Sequence, residues 1–240
     1  MQTMKVLGVD TTSDSGSAAI LDGDVLRALV GFSKKPGYAE KLLPTVEQML
    51  AELSLELSDV DGFAVSAGPG SFTGLRIGIA TMEGLSYATK RPVVGISSLE
   101  ATAHRYRFVN GWVAPFLDAR RQEVFGALYR ANGRELEEVV APVCESPERF
   151  VARLPKEPVL VAGTATLVHR ELLSHESQGH LKSAAPSFFL AEEVARLGLQ
   201  QLRKGNSTPL GRLEAIYLRP SDAEMARQTK LSSVAPTKPS

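Results

Sequence analysis

Short apolar runs separated by polar turns open the chain. The run at residues 5–10 ends on Asp10, and the segments 16–22 and 25–33 follow it, joined by an Asp22-Gly23-Asp24 turn. Runs of this length joined by an aspartate-glycine turn are typical of antiparallel strands. The pattern therefore predicts a three-stranded meander, with Asp10 at the end of its first strand.

Two helices are predicted after this meander. In residues 39–53, apolar side chains recur at three- and four-residue spacing and define one stripe. Residues 75–88 are apolar on nearly every side, and such a helix has to be covered on more than one face. We expect the protein's own sheet on one face; the preceding helix, a second lobe or a different chain could cover the other. Short apolar strands are predicted before and after this helix, at 62–66 and 93–96.

The opening pattern repeats from residue 112 onward. An apolar run again ends on an aspartate, Asp118, and two further strands are predicted at 124–129 and 136–140, with a polar turn before each. Asp118 thus ends the first strand of the second pattern, as Asp10 ends the first strand of the first pattern. This correspondence indicates a duplicated lobe, although two ordinary meanders would give a similar pattern.

The rest of the chain alternates between a strand, at 159–162, and helices, at 164–173 and 187–203. Mixed α/β architecture follows from this alternation. The last residues are polar and contain several Pro and Ser, which favours disorder. We divide the chain into an N-terminal lobe of residues 1–105, a C-terminal lobe of residues 106–225 and a disordered tail of residues 226–240.

The composition of the chain argues against several classes of function. The 240 residues carry 27 basic and 27 acidic side chains, so no overall charge draws the chain to nucleic acid. A single cysteine, Cys144, can form neither an internal disulfide nor a cysteine-based zinc site. We find no export signal and no apolar run near the roughly 20 residues that cross a bilayer, and we expect a cytoplasmic protein without membrane contact.

Two polar turns could bind phosphate. Asp10, Thr11 and Thr12 follow the first strand, where amides and hydroxyls can hold phosphate oxygens, but polar turns after strands are also common for local reasons. Gly70 and Ser71 belong to a glycine-rich segment that opens a helix, which suits either an anion or a tight strand-to-helix connection. The lysine of a Walker A loop is absent. These five residues are weak nucleotide-binding candidates.

The four histidines show no metal-site pattern. His175 and His180 lie in a polar stretch typical of a solvated loop, and His104 and His169 have no partner at ligand spacing. No serine stands in a nucleophile elbow with its partners. We therefore predict no metal site and no catalytic residue.

Four motifs of the chain occur together. They are Gly8-Val9-Asp10-Thr11-Thr12, the segment 68–78 (GPGSFTGLRIG), Asp118-Ala119-Arg120-Arg121 and Tyr217-Leu218-Arg219-Pro220. With these motifs the chain resembles the TsaB (YeaZ) family, over most of its length up to about residue 226. The resemblance implies an actin-like ATPase (ASKHA) fold with two duplicated lobes, each with a mixed sheet and flanking helices. It also implies a part in making threonylcarbamoyladenosine on the tRNA adenosine 3′ of the anticodon.

The chain departs from the catalytic relatives at one pair of positions. Those relatives carry two metal-binding histidines four residues apart, and the resemblance places Ser98 and Thr102 there. A hydroxyl does not replace imidazole as a ligand for a catalytic iron or zinc. The resemblance therefore implies a non-catalytic scaffold without a cofactor of its own, although weak ATP or ADP binding is possible.

The resemblance also implies partners. They are a catalytic TsaD-like subunit, a TsaE-like ATPase, and a second copy of the chain when the TsaD-like partner is absent, with tRNA contacted only through the complex. In the family the first two helices of the N-terminal lobe form a bundle with those of the partner. The six residues that we expect at this interface are Leu42, Val46, Met49, Ile79, Met82 and Tyr87.

Three rival functions compete with the scaffold role, and the residues speak against each of them to a different degree. A small-molecule kinase of the same fold is the strongest, because Asp10 and the glycine segment lie where such kinases bind phosphates. Against it, Asp118 is followed by alanine and two arginines and not by a glycine-rich phosphate turn. A glycoprotease lacks the metal ligands, and a free-standing tRNA-binding protein lacks a basic excess.

Overall fold

The computed structural model describes residues 3–33, 35, 37–175, 179–185, 187, 189–209 and 211–219. The predicted disordered tail, residues 226–240, lies outside the described residues. None of the helices in these ranges is both long and apolar enough to cross a bilayer.

The N-terminal sheet begins as the predicted meander. Its first three strands pair antiparallel, and the next two then add in parallel to the first, which gives the order β3-β2-β1-β4-β5. Every residue of β4 is buried, as expected of a strand covered by helices on both faces. The strands are β1 Lys5–Asp10, β2 Ser15–Asp22, β3 Val25–Ser33, β4 Gly62–Gly68 and β5 Val93–Ser97.

The C-terminal sheet repeats this topology. Its order is β8-β7-β6-β9-β10, with the same antiparallel and parallel pairings at corresponding places. Two unrelated meanders would not each be followed by two parallel strands in the same order. The predicted actin-like fold of two duplicated lobes is therefore confirmed. The strands are β6 Asn110–Arg120, β7 Glu123–Asn132, β8 Leu136–Glu145, β9 Val159–Ala162 and β10 Leu181–Ser183.

Helices cover both sheets. Helices α1 and α2 share an apolar cluster with one face of the N-terminal sheet, and α7 packs on the opposite face. Helix α3 packs against the C-terminal sheet and so joins the lobes. The helices are α1 Tyr38–Glu52, α2 Phe72–Thr89, α3 Ser98–His104, α4 Pro147–Ala152, α5 Ala165–Val168, α6 Arg170–His175 and α7 Ala191–Arg203.

Short elements escaped the sequence analysis. Periodicity did not reveal α3, α4 or β10, because seven or fewer residues hold too few repeats to show a period. The helix predicted at 164–173 is two short helices, α5 and α6. The helix predicted at 187–203 begins at Ala191 in the structure. The Ala191 amide donates to the Ser17 hydroxyl of β2 at 3.1 Å.

The predicted lobe boundary needs correction. Residues after about 190 were assigned to the C-terminal lobe, but α7 packs on the N-terminal sheet, with Val194 and Ala195 beside Val6. The chain then stays in that lobe, since the Thr208 amide donates to the Val93 carbonyl oxygen at 2.9 Å. An amphipathic helix shows that it has a buried face but not which of two sheets it covers.

Candidate functional site

A cleft of about 750 Å³ lies between the two lobes. Its walls come from the turn after β1, the connection from β4 to α2, the end of β6, helix α5 and the segment before Arg219. Hydroxyl-bearing, apolar and charged side chains all line these walls. The hydroxyl-bearing residues are Thr12, Ser13, Ser15, Ser71, Thr73, Thr102, Thr164, Ser187 and Tyr217.

Asp10 lies beneath the cleft wall. Its side chain is fully buried, and its Oδ1 accepts hydrogen bonds from the Thr12 amide at 3.1 Å and the Thr12 hydroxyl at 2.7 Å. Oδ2 has no hydrogen-bond partner among the described residues. Burial raises the pKa of Asp10 from 3.8 to about 6, against the opposing effect of the Thr12 hydrogen bonds. This carboxylate therefore organises the turn and costs stability when it is charged.

The glycine segment serves close packing. A Cβ at Gly74 would lie 1.9 Å from the Thr11 carbonyl oxygen, and one at Gly70 would lie 2.6 Å from the Thr12 carbonyl oxygen. The Thr11 hydroxyl donates to the Gly74 carbonyl at 2.7 Å. This geometry agrees with the alternative of a tight strand-to-helix connection, because the glycines are where another backbone approaches.

The same contacts use polar groups that would otherwise face an anion at the start of α2. The Ser71 amide donates to the Thr12 carbonyl at 2.7 Å, and the Ser71 hydroxyl accepts from the Gly74 amide at 3.3 Å as the helix cap. An anion at a helix start needs free amides. Of the five weak candidates, Thr12, Gly70 and Ser71 line the cleft, whereas Asp10 and Thr11 do not.

The corresponding turn of the C-terminal lobe carries an arginine in place of glycines. Arg120, Arg121 and Gln122 all have positive φ, between 52° and 63°. The Arg120 amide bonds to Asp118 at 2.8 Å, and its guanidinium reaches across the cleft to Asp14 at 2.5 Å. A cationic side chain already paired with an acid therefore lies between the two turns. Asp14 was missed in the sequence because its partner is 106 residues away.

Ser98 and Thr102 are committed to contacts within the chain. Both are buried; the Ser98 hydroxyl donates to the Pro69 carbonyl at 2.5 Å and the Thr102 hydroxyl to the Ser98 carbonyl at 2.7 Å. Burial, together with the positive charges of Arg107 and Arg196, lowers the pKa of nearby His104 from 6.5 to about 4. Across the part of the chain that the structure describes, no three His, Cys, Asp or Glu side chains form a group that could hold a metal ion.

Comparison with known proteins establishes the family of the chain. The family model described as TsaD, tRNA N6-adenosine threonylcarbamoyltransferase, matches residues 34–221. The tRNA threonylcarbamoyladenosine biosynthesis protein TsaB of Escherichia coli is 30% identical over 224 residues, which cover 90% of this chain and 95% of that protein. The chain belongs to the TsaB family.

Solved structures agree with this assignment. YeaZ from Pseudomonas aeruginosa matches with a TM-score of 0.77 and 27% identity, over 90% of this chain and all of that one. Component A of the (R)-2-hydroxyglutaryl-CoA dehydratase of Acidaminococcus fermentans has a TM-score of 0.52 at 11% identity, over 84% of this chain and all of that one. The second likeness shows the fold alone.

The structure corrects the interface predicted for this TsaB-family chain. Five of the six residues face the protein's own sheet, with exposed fractions of 7% or less, and only Tyr87 is exposed, at 72%. The inner side of each helix carries the larger apolar residues because it fills the core. The five buried residues are Leu42, Val46, Met49, Ile79 and Met82.

The opposite side of α2 is the surface that remains accessible. Its exposed positions recur at three- and four-residue spacing and are small apart from Arg76 and Tyr87. Leu43, on the outer side of α1, is 42% exposed. We call Leu43, Ile77, Ala80, Gly84 and Tyr87 the outer face of α1 and α2.

Replacing Asp10 with asparagine should stabilise the TsaB-family chain at neutral pH. The folded-state pKa lies above the ordinary value, so the wild type loses stability as pH rises from about 4 to about 6. We expect Asp10→Asn to raise the free energy of unfolding by on the order of 2 kcal/mol at pH 7 and by little at pH 4. Urea unfolding at both pH values measures this. Glu47→Gln, which removes an exposed carboxylate of the same lobe, serves as the control. A lower stability of Asp10→Asn at pH 7 would contradict the prediction.

Two glycine-to-alanine changes in α2 should have opposite effects. At Gly74 the new methyl group collides with the Thr11 carbonyl, and we expect a loss of about 2 kcal/mol or more. At Gly84 nothing lies within 4 Å, and the higher helix propensity of alanine should stabilise by about 0.5–1 kcal/mol. Urea unfolding of the two variants tests this, and equal effects would show that packing against Thr11 is unimportant.

Proposed function

We propose that this chain is a non-catalytic subunit in the formation of threonylcarbamoyladenosine on the tRNA adenosine 3′ of the anticodon. It supports a catalytic TsaD-like subunit in a cytoplasmic complex that also uses a TsaE-like ATPase. Without the TsaD-like subunit it forms a homodimer, and it meets tRNA only through the complex. The names of the TsaB relatives and of the matching family model support this setting.

The observation that carries the scaffold role is the state of Ser98 and Thr102. At the places assigned to metal-binding histidines of catalytic relatives, both hydroxyls are buried and donate to carbonyl oxygens of the same chain. Neutral hydroxyls in such bonds are poor ligands for iron or zinc, which prefer imidazole or thiolate. Ser98 joins α3 to the glycine segment, and Thr102 bonds within α3 itself.

The outer face of α1 and α2 supports a partner-docking role. Ala80 and Gly84 let the backbone of another helix approach closely, and Tyr87 is the kind of large, amphipathic residue enriched in protein interfaces. The inner side of α2 is held in the core, so the outer side is presented in one orientation. We assign this face to the TsaD-like partner and, in its absence, to a second copy.

The cleft supports at most weak nucleotide binding. Its residues fit a nucleoside triphosphate poorly, since the Ser71 amide already donates to the Thr12 carbonyl and Arg120 of the opposing turn is paired with Asp14. The rival function, a small-molecule kinase, needs both phosphate turns. Titration calorimetry with ATP and magnesium on the isolated chain separates the two functions: weak or no heat supports the scaffold, and micromolar binding with turnover supports the kinase.

A charge on the outer face should weaken assembly without unfolding the chain. We expect Ala80→Asp to weaken homodimerisation and binding to the TsaD-like subunit at least tenfold, because a carboxylate would be buried in an apolar helix interface. Met82→Asp is unsuitable, since Met82 is fully buried in the core. Light scattering after size exclusion measures association, and reconstituted tRNA modification measures activity.

The matched control for this prediction is Val25→Asp. Val25 is 61% exposed on β3, away from α1 and α2, and the change adds the same charge. Unaltered association of Ala80→Asp would remove the outer face from the proposal. Modification of tRNA by the isolated chain, with no TsaD-like subunit present, would overturn the non-catalytic role.

A further inference from the structure

The described chain ends in a segment that crosses from one lobe to the other. We call residues 213–219 the strap. It starts in the N-terminal lobe, where the Leu213 side chain joins the core cluster and its amide donates to the Glu83 carboxylate of α2 at 3.2 Å. Farther on, the Ile216 amide donates to the Ala67 carbonyl of β4 at 2.7 Å. The start of the strap is thus bonded to both β4 and α2.

The middle of the strap contacts the beginning of α2. The Tyr217 ring packs on the ring of Phe72, the first residue of that helix, with centroids 5.1 Å apart. The guanidinium of Arg76, one turn later in α2, lies 4.0 Å from the centroid of the Phe72 ring and forms a cation–π contact with it. Tyr217 lines the cleft, so this contact forms part of its wall.

The end of the strap is held by the C-terminal lobe. Leu218 packs against that lobe's apolar cluster. The Arg219 guanidinium donates to the Glu123 carboxylate at 2.5 Å and to the Ala119 carbonyl at 3.0 Å, so it binds both strands of the β6–β7 hairpin. The Arg219 side chain is only 21% exposed, whereas both members of the Arg120–Asp14 pair are about two thirds exposed. Partial burial and two acceptors make Arg219 the stronger connection.

These contacts join three parts of the molecule. The strap is bonded to α2 at Glu83 and packed on it at Phe72, and it is bonded to the C-terminal lobe at Arg219. The two lobes cannot separate along the cleft unless the Arg219 contacts break or the strap pulls on the start of α2. Kinase-like lobes that close on a ligand need freedom at such a place.

We propose that residues 213–219 form an interlobe strap that sets the width of the cleft and links it to the position of α2. A change that opens the lobes therefore loosens the first turn of α2. Through that helix the cleft and the outer face are coupled, a consequence that rests on the docking role proposed above. The strap itself does not depend on that role and is tested on the isolated chain.

Spin-label distances across the cleft test the strap. Labels on cysteines at the exposed positions Glu47 of α1 and Glu171 of α6, in a Cys144→Ser background, report the separation of the lobes by pulsed electron resonance. Arg219→Ala should lengthen and broaden the distance distribution. Glu123→Gln should change the distance distribution less, because the Ala119 carbonyl still accepts a hydrogen bond from Arg219. The double variant Glu123→Gln with Arg219→Ala should show the same distribution as Arg219→Ala alone.

The control is Arg212→Ala, an exposed arginine just before the strap, which should leave the distances unchanged. An unaltered distribution in Arg219→Ala, with native circular dichroism, would overturn the strap. The link to α2 has its own readout in hydrogen exchange. Amides at the start of α2, residues 74–77, should exchange about tenfold faster in Arg219→Ala. Wider lobes with unchanged exchange at these amides would overturn the coupling alone.

Discussion

The N-terminal lobe depends on one contact between two stretches of backbone. Helix α2 and the turn that leads into it lie so close to Thr11 and Thr12 that a methyl group at Gly74 would overlap a carbonyl oxygen. This approach lets the Thr11 hydroxyl bond to the helix and the Ser71 amide bond to the Thr12 carbonyl. The turn and the helix therefore behave as one unit, because neither can shift without breaking buried hydrogen bonds.

The function proposed for the chain follows from that close approach. Polar groups that could face an anion at the start of α2, the Ser71 amide and the Gly74 amide, are occupied by contacts within the protein. The same contacts hold α2 with its larger apolar side chains on the sheet, so its exposed positions are small apart from Arg76 and Tyr87. A surface of that shape suits a helix from another chain better than it suits a ligand.

The two lobes have the same topology and have diverged in their details. Gly68 at the end of β4 and Gly163 just after β9 both have positive φ, at 113° and 131°, and both lie against a backbone carbonyl. The helix after the first of these glycines is α2, with 18 residues, whereas α5 after the second has only four. The C-terminal lobe thus has the same strand framework, but among its described residues no helix matches α2 in length. Its interlobe turn carries Arg120, and its β6–β7 hairpin receives Arg219 from the strap.

The sequence by itself determined the fold class, the order of the main strands and helices, and the correspondence between Asp10 and Asp118, because strand alternation, helical spacing and turn residues are local properties. It also showed that α2 is apolar on nearly every side. Only the tertiary structure decided which of those sides the sheet covers, and it reversed five of six interface assignments. Only the tertiary structure also showed that α7 packs on the N-terminal lobe, that Arg120 pairs with Asp14 and that Arg219 bonds to Glu123. The last three outcomes depend on contacts between residues about a hundred or more positions apart, which no local pattern encodes.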